Sequence, residues 1–198
     1  LYNDYFLNEV KKQSEWVMVV DLDEFMYSRN EYITIKDYLL TLDNNIDEVR
    51  VRWKMFGSSN HIKQPKNIIT EFIHRKLMQD SSNVNPDKET KNPKSLDQHV
   101  KSICRTINLQ KLDIHCHNHN GKILVIPEKA NETLLNTAPL HLNHYAIQSW
   151  DWFSKIKMTR GAADNKDYFK KYDFNDIEDT ELLNIYSQRL PLYYLHDK

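Results

Sequence analysis

Three carboxylates follow a short apolar run near the start of the chain. Residues 16–20 are all apolar, which predicts a strand buried on both faces, and Asp21, Asp23 and Glu24 come directly after it. In an extended chain Asp21 and Asp23 point to the same side, where a cation would relieve their repulsion. Carboxylate oxygens at this spacing suit Mn²⁺ or Mg²⁺, ions that usually bridge to substrate phosphates. The alternative is a solvated acidic turn with no metal-binding role.

Two classes of enzyme place a D-x-D motif after a buried strand. In haloacid-dehalogenase-like phosphatases the first aspartate is a nucleophile and the second a general acid. In GT-A glycosyltransferases the pair holds a divalent ion under a sugar-nucleotide diphosphate. The phosphatase pattern needs Thr or Val two residues after the second aspartate and a later Gly-Asp-x-x-x-Asp, whereas this chain has Phe25 and no such motif. The motif therefore favours a glycosyltransferase.

Composition excludes several other classes. The 198 residues include 27 Lys and Arg against 28 Asp and Glu, a net charge of −1 that argues against bulk nucleic-acid binding. Only 3 glycines are present, so neither a P-loop nor G-x-G-x-x-G exists, and a nucleotide needs another device such as a metal ion. Two cysteines exclude a disulfide framework, and no apolar run is long enough to span a membrane.

The remaining pattern predicts one α/β or α+β domain over residues 1–198, strand-rich in the middle and helical over 164–198. A polar, proline-bearing stretch over 79–95 predicts a mobile surface loop. The predicted helices are 1–15, 34–42 with Thr34 as N-cap, one starting after Ser149, 164–172 and 176–189. The predicted strands are 47–55, with Arg50, Arg52 and Lys54 on its outer side, and 68–77, 100–107, 112–116, 122–126 and 140–147.

Further motifs resemble one family. In order they are D-L-D-E-F at 21–25, W-K-M-F-G-S-S-N-H at 53–61, K-S-I at 101–103, H-C-H at 115–117, H-Y-A-I-Q-S at 144–149 and R-G-A-A-D at 160–164. Together they resemble the DUF23, family-92-like glycosyltransferases and their family-2-like relatives. The resemblance implies an α/β, GT-A-like mixed sheet flanked by helices. It also implies that the chain is a C-terminal portion lacking the N-terminal nucleotide-binding part, with Asn60 at a position where glycine is expected.

The resemblance also implies roles for individual residues. Asp23, Asp21 and His144 are the expected metal ligands, and Glu24 would orient them. Asp21 with Lys101, Lys155 and Arg160 would hold the donor, the cations neutralising its diphosphate. For the general base the sequence leaves Glu71 and Asp97 as candidates, since each lies at the edge of a predicted strand. The expected acceptor contacts are Trp53, Ser58, His61 and His117, while His115, His117 and His119 lack the partner pair of a structural zinc site.

These observations predict a metal-dependent hexosyltransferase using Mn²⁺ or Mg²⁺. Its partners would be a UDP- or GDP-sugar donor and a glycan or glycolipid acceptor, with no nucleic acid and no membrane span in this chain. A cytoplasmic or membrane-peripheral location is expected, with room for an anchor outside the chain. Two alternatives stay open at this point. They are a phosphohydrolase built on the same D-x-D and a non-catalytic remnant that binds glycans.

Overall fold

The structure is a computed structural model that describes residues 2–29, 31–78, 99–112, 121–161 and 166–189. It divides into two compact units. The first comprises residues 1–53 and 78–142, and the second comprises residues 54–77 and 143–198. The predicted loop at 79–95, Asp97, His117 and all but the first residue of the predicted strand 112–116 lie outside the described residues.

Strands and helices alternate along much of the described chain. The strands are β1 (Trp16–Met18), β2 (Glu24–Ser28), β3 (Ile46–Met55), β4 (His74–Arg75), β5 (Val100–Arg105), β6 (Lys122–Ile126), β7 (Leu140–His144) and β8 (Ile177–Glu178). The helices are α1 (Tyr2–Tyr5), α2 (Lys11–Gln13), α3 (Ile35–Leu40), α4 (Ile68–Glu71), α5 (Glu132–Thr137), α6 (Trp150–Lys155), α7 (Lys166–Tyr172) and α8 (Glu181–Arg189). A π-helical turn over Phe6–Val10 joins α1 to α2, and a 3₁₀ turn over Lys157–Arg160 follows α6.

Six of these strands form a mixed sheet, as the resemblance implied. Its order is β1-β5-β3-β7-β2, and β6 also pairs with β3. Strand β5 is antiparallel to both β1 and β3, whereas β6 runs parallel to β3. Strands β4 and β8 form a separate antiparallel pair in the second unit. The helices and this mixed sheet make the chain an α/β protein with a GT-A-like architecture.

Strand β3 is the centre of the sheet, and its predicted alternation is correct except at one residue. Val49, Val51 and Trp53 are buried as predicted, while Arg50 stays partly exposed and pairs with buried Glu48 at 2.7 Å. Lys54, expected on the outer side of the strand, is instead fully buried. An ionised lysine is buried only where an opposite charge compensates it, and Asp179, in the same unit as Lys54, supplies that charge.

Strand β1 differs from its prediction. The prediction was a five-residue strand buried on both faces, but the strand ends at Met18, its residues are only half-buried, and Val20 is 49 % exposed. It is the edge of the sheet as described, pairing with β5 alone. Val17 and Val19 lie against a cluster that includes Phe6 and Cys104, while the Arg105 guanidinium lies 4.3 Å from the centre of the Trp16 ring.

Side-chain caps explain where the predicted helices were right and where they were wrong. Thr34 caps α3 in a reciprocal box with Asp37, and Ser149 caps α6 by accepting from the Trp152 backbone N–H, as predicted. Residues 68–77 were predicted to hold a strand. The structure has β4 there at His74–Arg75, but the Asn67 side chain accepts from two backbone N–H groups and starts α4 over Ile68–Glu71. A local cap here outweighs the β-propensity of adjacent isoleucines.

The C-terminal segment was predicted as one helix over 176–189. The structure instead places β8 at Ile177–Glu178 and begins α8 at Glu181. The break lies at Asp179, whose backbone N–H donates to the Ile73 carbonyl at 2.6 Å and whose Oδ1 accepts from the Glu181 N–H at 3.2 Å. Strand β7 likewise ends at His144, short of the predicted residue 147.

Asp179 is also the centre of a buried charge cluster in the second unit. Its Oδ2 lies 2.7 Å from Lys54 Nζ and 2.6 Å from Arg75 Nε, and Glu181 lies 3.6 Å from the same lysine. Burial alone would raise the pKa of Asp179, but Lys54 and Arg75 outweigh that effect and hold the pKa below its ordinary value. Burial lowers the pKa of Lys54 despite the attraction of Asp179.

No helix among the described residues is both long and apolar enough to cross a membrane.

Replacing Asp179 with asparagine should destabilise the protein strongly. The change leaves two buried cations without their carboxylate, for which a loss of about 3–5 kcal/mol is expected. Because the folded-state pKa of Asp179 is depressed, its stabilisation is complete at neutral pH and declines as the pH falls below about 4. Urea unfolding at pH 7 checks the magnitude. The exposed Glu178→Gln is the control, and equal stability of the two variants would contradict the assignment.

Candidate active site

The acidic motif forms a tight turn between β1 and β2. The Asp21 carbonyl accepts from the Glu24 backbone N–H at 3.1 Å, and the Glu24 carboxylate reaches back to the Asp21 N–H at 3.0 Å. Leu22 at the tip is fully exposed. The expectation that Asp21 and Asp23 share one side of an extended chain is therefore wrong, because the Glu24 side chain folds this segment into a turn.

A buried lysine joins two of the three carboxylates. Lys101 lies on β5 with no exposed side-chain surface, and its Nζ is 2.9 Å from Asp21 Oδ2 and 3.2 Å from Glu24 Oε2. The Glu24 side chain is also fully buried, whereas that of Asp21 is 54 % exposed. Lys101 was predicted to contact the donor diphosphate. In the structure its ammonium group compensates the carboxylates of the motif.

The turn places three carboxylates within four residues of the chain. Asp21, Asp23 and Glu24 carry three carboxylates, and Lys101 is the cation that the structure brings to two of them. Glu24 Oε1 is buried and accepts no hydrogen bond from the described residues. A buried carboxylate oxygen without a donor is costly, and a cation is one way to satisfy it. Asp23 is half-buried beside the exposed tip.

The donor chemistry of the turn fits Mn²⁺ or Mg²⁺, since all its candidate ligands are carboxylate oxygens. Within the ranges that the structure describes, no three His, Cys, Asp or Glu side chains are grouped closely enough to hold a metal ion. His144, the third predicted ligand, is buried at the end of β7 and belongs to the second unit. The metal site therefore stays a prediction.

The Gly57-Ser58-Ser59 part of the second motif is a structural clamp in the second unit. A side chain at Gly57 would meet the Phe174 carbonyl oxygen at 2.0 Å. The Ser58 N–H donates to Asp173 Oδ1 at 2.7 Å, and the Ser59 hydroxyl oxygen accepts from the backbone N–H groups of Ile73 and His74. Ser58 is only 3 % exposed. An acceptor could therefore contact Ser58 directly only if the clamp opened, and otherwise the contact would be indirect.

Asn60 occupies the position where the resemblance implies glycine. Its backbone φ is 63°, in the left-handed region that glycine adopts without strain. Asparagine is among the few other residues found there often, because its short side chain hydrogen-bonds locally. Asparagine at this position is therefore compatible with the left-handed backbone conformation observed.

The structure brings together two residues that the sequence assigned to different roles. His61 Nε2 lies 3.1 Å from the Glu71 carbonyl oxygen and 3.8 Å from its carboxylate, and both side chains are partly exposed. The His61 ring also packs edge-on against buried Phe72, with 5.4 Å between ring centroids. Glu71, the candidate base, and His61, the candidate acceptor contact, therefore form one polar pair in the second unit.

Three other predicted site residues have simpler surroundings. Trp53 is buried in the first unit and stacks on His99 at 4.9 Å, as a core residue would. Lys155 is 70 % exposed at the end of α6 and pairs with Asp151 at 3.2 Å. Arg160 is exposed at the end of the 3₁₀ turn, where Gly161 follows with a φ of 81°.

Sequence reasoning missed the residues that hold these features in place. Asp173 and Asn175 bind the N–H groups of Ser58 and Ser59, 115 and 116 positions earlier in the chain. Gln64 accepts from the Ser149 hydroxyl group and donates to Gln148, both more than 80 positions away. These are ordinary polar residues with no motif around them, so a single sequence carries no signal that pairs them.

The mixed sheet flanked by helices is consistent with a GT-A-like fold. The family model for glycosyltransferase family 92 matches residues 6–183, and the chain belongs to that family. A search of curated proteins returned no match.

Replacing buried Lys101 should lower the free energy of unfolding, because Lys101 compensates the charge of the carboxylates beside it. Lys101→Met leaves Glu24 buried without its cation, and a loss of about 3–5 kcal/mol in the free energy of unfolding is expected. The double variant Lys101→Met/Glu24→Gln should recover part of that loss, because the uncompensated charge is gone. Urea unfolding of both variants, with exposed Lys122→Met as control, measures this. A double variant less stable than Lys101→Met would refute the pairing.

Proposed function

We propose that this family 92 glycosyltransferase moves a hexose from a UDP- or GDP-sugar to a hydroxyl group of a glycan or glycolipid. We further propose that the reaction depends on Mn²⁺ or Mg²⁺. The observation that supports the proposal is the turn at 21–24, where three carboxylates lie within four residues and buried Lys101 contacts two of them. Clustered carboxylates attract a divalent cation and repel a free phosphate group.

Asp21 and Asp23 would hold the ion, with Glu24 supporting them from within the turn. When bound, such an ion acts as a Lewis acid on the diphosphate of the donor. The chain's own contribution is positioning. The Glu24 carboxylate and the Asp21 N–H fix the turn, while Lys101 prevents the two neighbouring carboxylates from repelling each other apart.

Lys155 and Arg160 are the proposed partners of the leaving diphosphate. Both side chains are exposed, which leaves them able to reach a ligand from solution. The ion pair of Lys155 with Asp151 is a solvent-exposed i,i+4 pair, and such pairs contribute only about 0.3–0.5 kcal/mol. A doubly charged phosphate group therefore competes easily for this lysine.

On the acceptor side, Glu71 is the proposed general base and His61 its neighbour at the acceptor hydroxyl group. Their mutual distance supports this, because the imidazole can orient the carboxylate or share its proton. Ser58 and Trp53 are both buried, so we propose that they contribute to acceptor binding indirectly, through the residues next to them. Asp97 and His117 stay sequence predictions, as they lie outside the described residues.

The metal proposal predicts nucleotide binding that requires Asp23. Isothermal calorimetry with UDP and GDP, with and without Mn²⁺, should show binding only with the ion. Asp23→Asn keeps the size of the side chain but removes a charged ligand, and should abolish that binding. Glu31→Gln, an exposed acid outside the turn, is the matched control and should bind as the wild type does. Metal-independent binding in both variants would overturn the proposal.

The base proposal predicts a different pattern for Glu71. Glu71→Gln should lower kcat by about 10²–10⁴-fold, the usual contribution of a general base, while metal-dependent nucleotide binding is unchanged. The exposed Glu128→Gln is the control. Transfer from a UDP- or GDP-sugar, measured on a soluble glycan, is the assay. A variant with normal kcat would remove Glu71 from the reaction, and phosphate release from simple esters without a sugar nucleotide would favour a phosphohydrolase.

A further inference from the structure

The region of α6, the 3₁₀ turn and α7 is far more basic than the rest of the chain. Residues 150–172 contain six basic and three acidic side chains, a net charge of +3, in a protein whose net charge is −1. All other residues together therefore carry −4. Five of the six cations are exposed, namely Lys155, Arg160, Lys166, Lys170 and Lys171.

Aromatic side chains lie among these cations. Buried Phe153 is surrounded by five aromatic residues that all keep part of their surface exposed, namely Trp150, Trp152, Tyr168, Phe169 and Tyr172. Lys157 Nζ lies 5.9 Å from the ring centre of Trp152, and Lys171 Nζ lies 5.2 Å from that of Tyr172. We call this combined patch on α6, the 3₁₀ turn and α7 the basic–aromatic surface.

Two features distinguish this surface from an ordinary charged surface in contact with water, namely its few acidic side chains and its partly exposed aromatic side chains. The described acids of this surface are Asp151, which pairs with Lys155 at 3.2 Å, and Asp167, so the cations outnumber them. Partly exposed Trp and Tyr side chains present an apolar body and a polar edge, which is the chemistry of the headgroup region of a bilayer. Clustered lysines add attraction to anionic headgroups, because the cytoplasmic leaflet carries negative surface potential.

We propose that the basic–aromatic surface docks the protein onto a membrane of anionic phospholipids. The lysines would neutralise headgroup phosphates and carboxylates, and the partly exposed aromatic side chains would enter the interfacial layer. This inference goes beyond the proposed chemistry and does not require it.

Vesicle sedimentation tests the proposal without metal or nucleotide. The wild type should bind vesicles of equimolar phosphatidylcholine and phosphatidylserine, and should not bind vesicles of phosphatidylcholine alone. The triple variant Lys166→Gln/Lys170→Gln/Lys171→Gln should bind the anionic vesicles roughly 100-fold more weakly. The control Lys36→Gln/Lys122→Gln/Lys129→Gln removes three exposed lysines of the first unit, reaches the same net charge of −4, and should bind normally.

A second measurement protects the test against a misfolded variant. Brominated acyl chains in the same vesicles should quench tryptophan fluorescence of the wild type, and Trp152→Phe should reduce that quenching. Equal vesicle binding by the two triple variants would overturn the proposal, as would absence of quenching in the wild type. Loss of UDP and GDP binding in the Lys166/Lys170/Lys171 variant with vesicle binding intact would also overturn it, and would make the surface a nucleotide site.

Discussion

The contact between Lys101 and the acidic turn is the constraint on which the candidate site depends. Burying an ammonium group costs several kcal/mol unless carboxylates lie beside it, and here Asp21 and Glu24 provide them from a neighbouring strand connection. The same contact determines the shape of the turn, since one Glu24 oxygen binds both Lys101 and the Asp21 N–H. Charge compensation and turn geometry are therefore one interaction, and Asp23 takes its position from it.

The second unit repeats this solution with the charges reversed. There a single buried carboxylate, Asp179, compensates Lys54 and Arg75, while its other oxygen starts α8. In each unit, one buried ionised side chain thus pairs with two side chains of the opposite charge. Removing the central ion of either cluster should leave buried charges uncompensated in a region of low dielectric, so we expect such a substitution to be strongly destabilising.

Features of the fold that depend on residues close together in the sequence could be predicted from it. The caps at Thr34 and Ser149 and the alternation of β3 depend on residues within a few positions of each other, and each of these predictions was correct in type. Three of the errors share one origin. The burial of Lys54, the break at Asp179 and the clamp around Gly57 depend on partners about 100 positions away, and no periodicity within a single segment reports such partners. The family resemblance located the motifs but could not tell that Ser58 and Ser59 bind backbone N–H groups.

The division of the chain has a consequence for how the protein is made. The second unit consists of residues 54–77 and 143–198, so its two parts leave the ribosome separated by the whole of 78–142. Lys54 and Arg75 are synthesised long before Asp179, which lies 104 positions after Arg75. Until that carboxylate emerges, both cations remain solvated and the unit stays open. The first unit has all its residues by position 142, so the order of translation makes it the earlier of the two to fold.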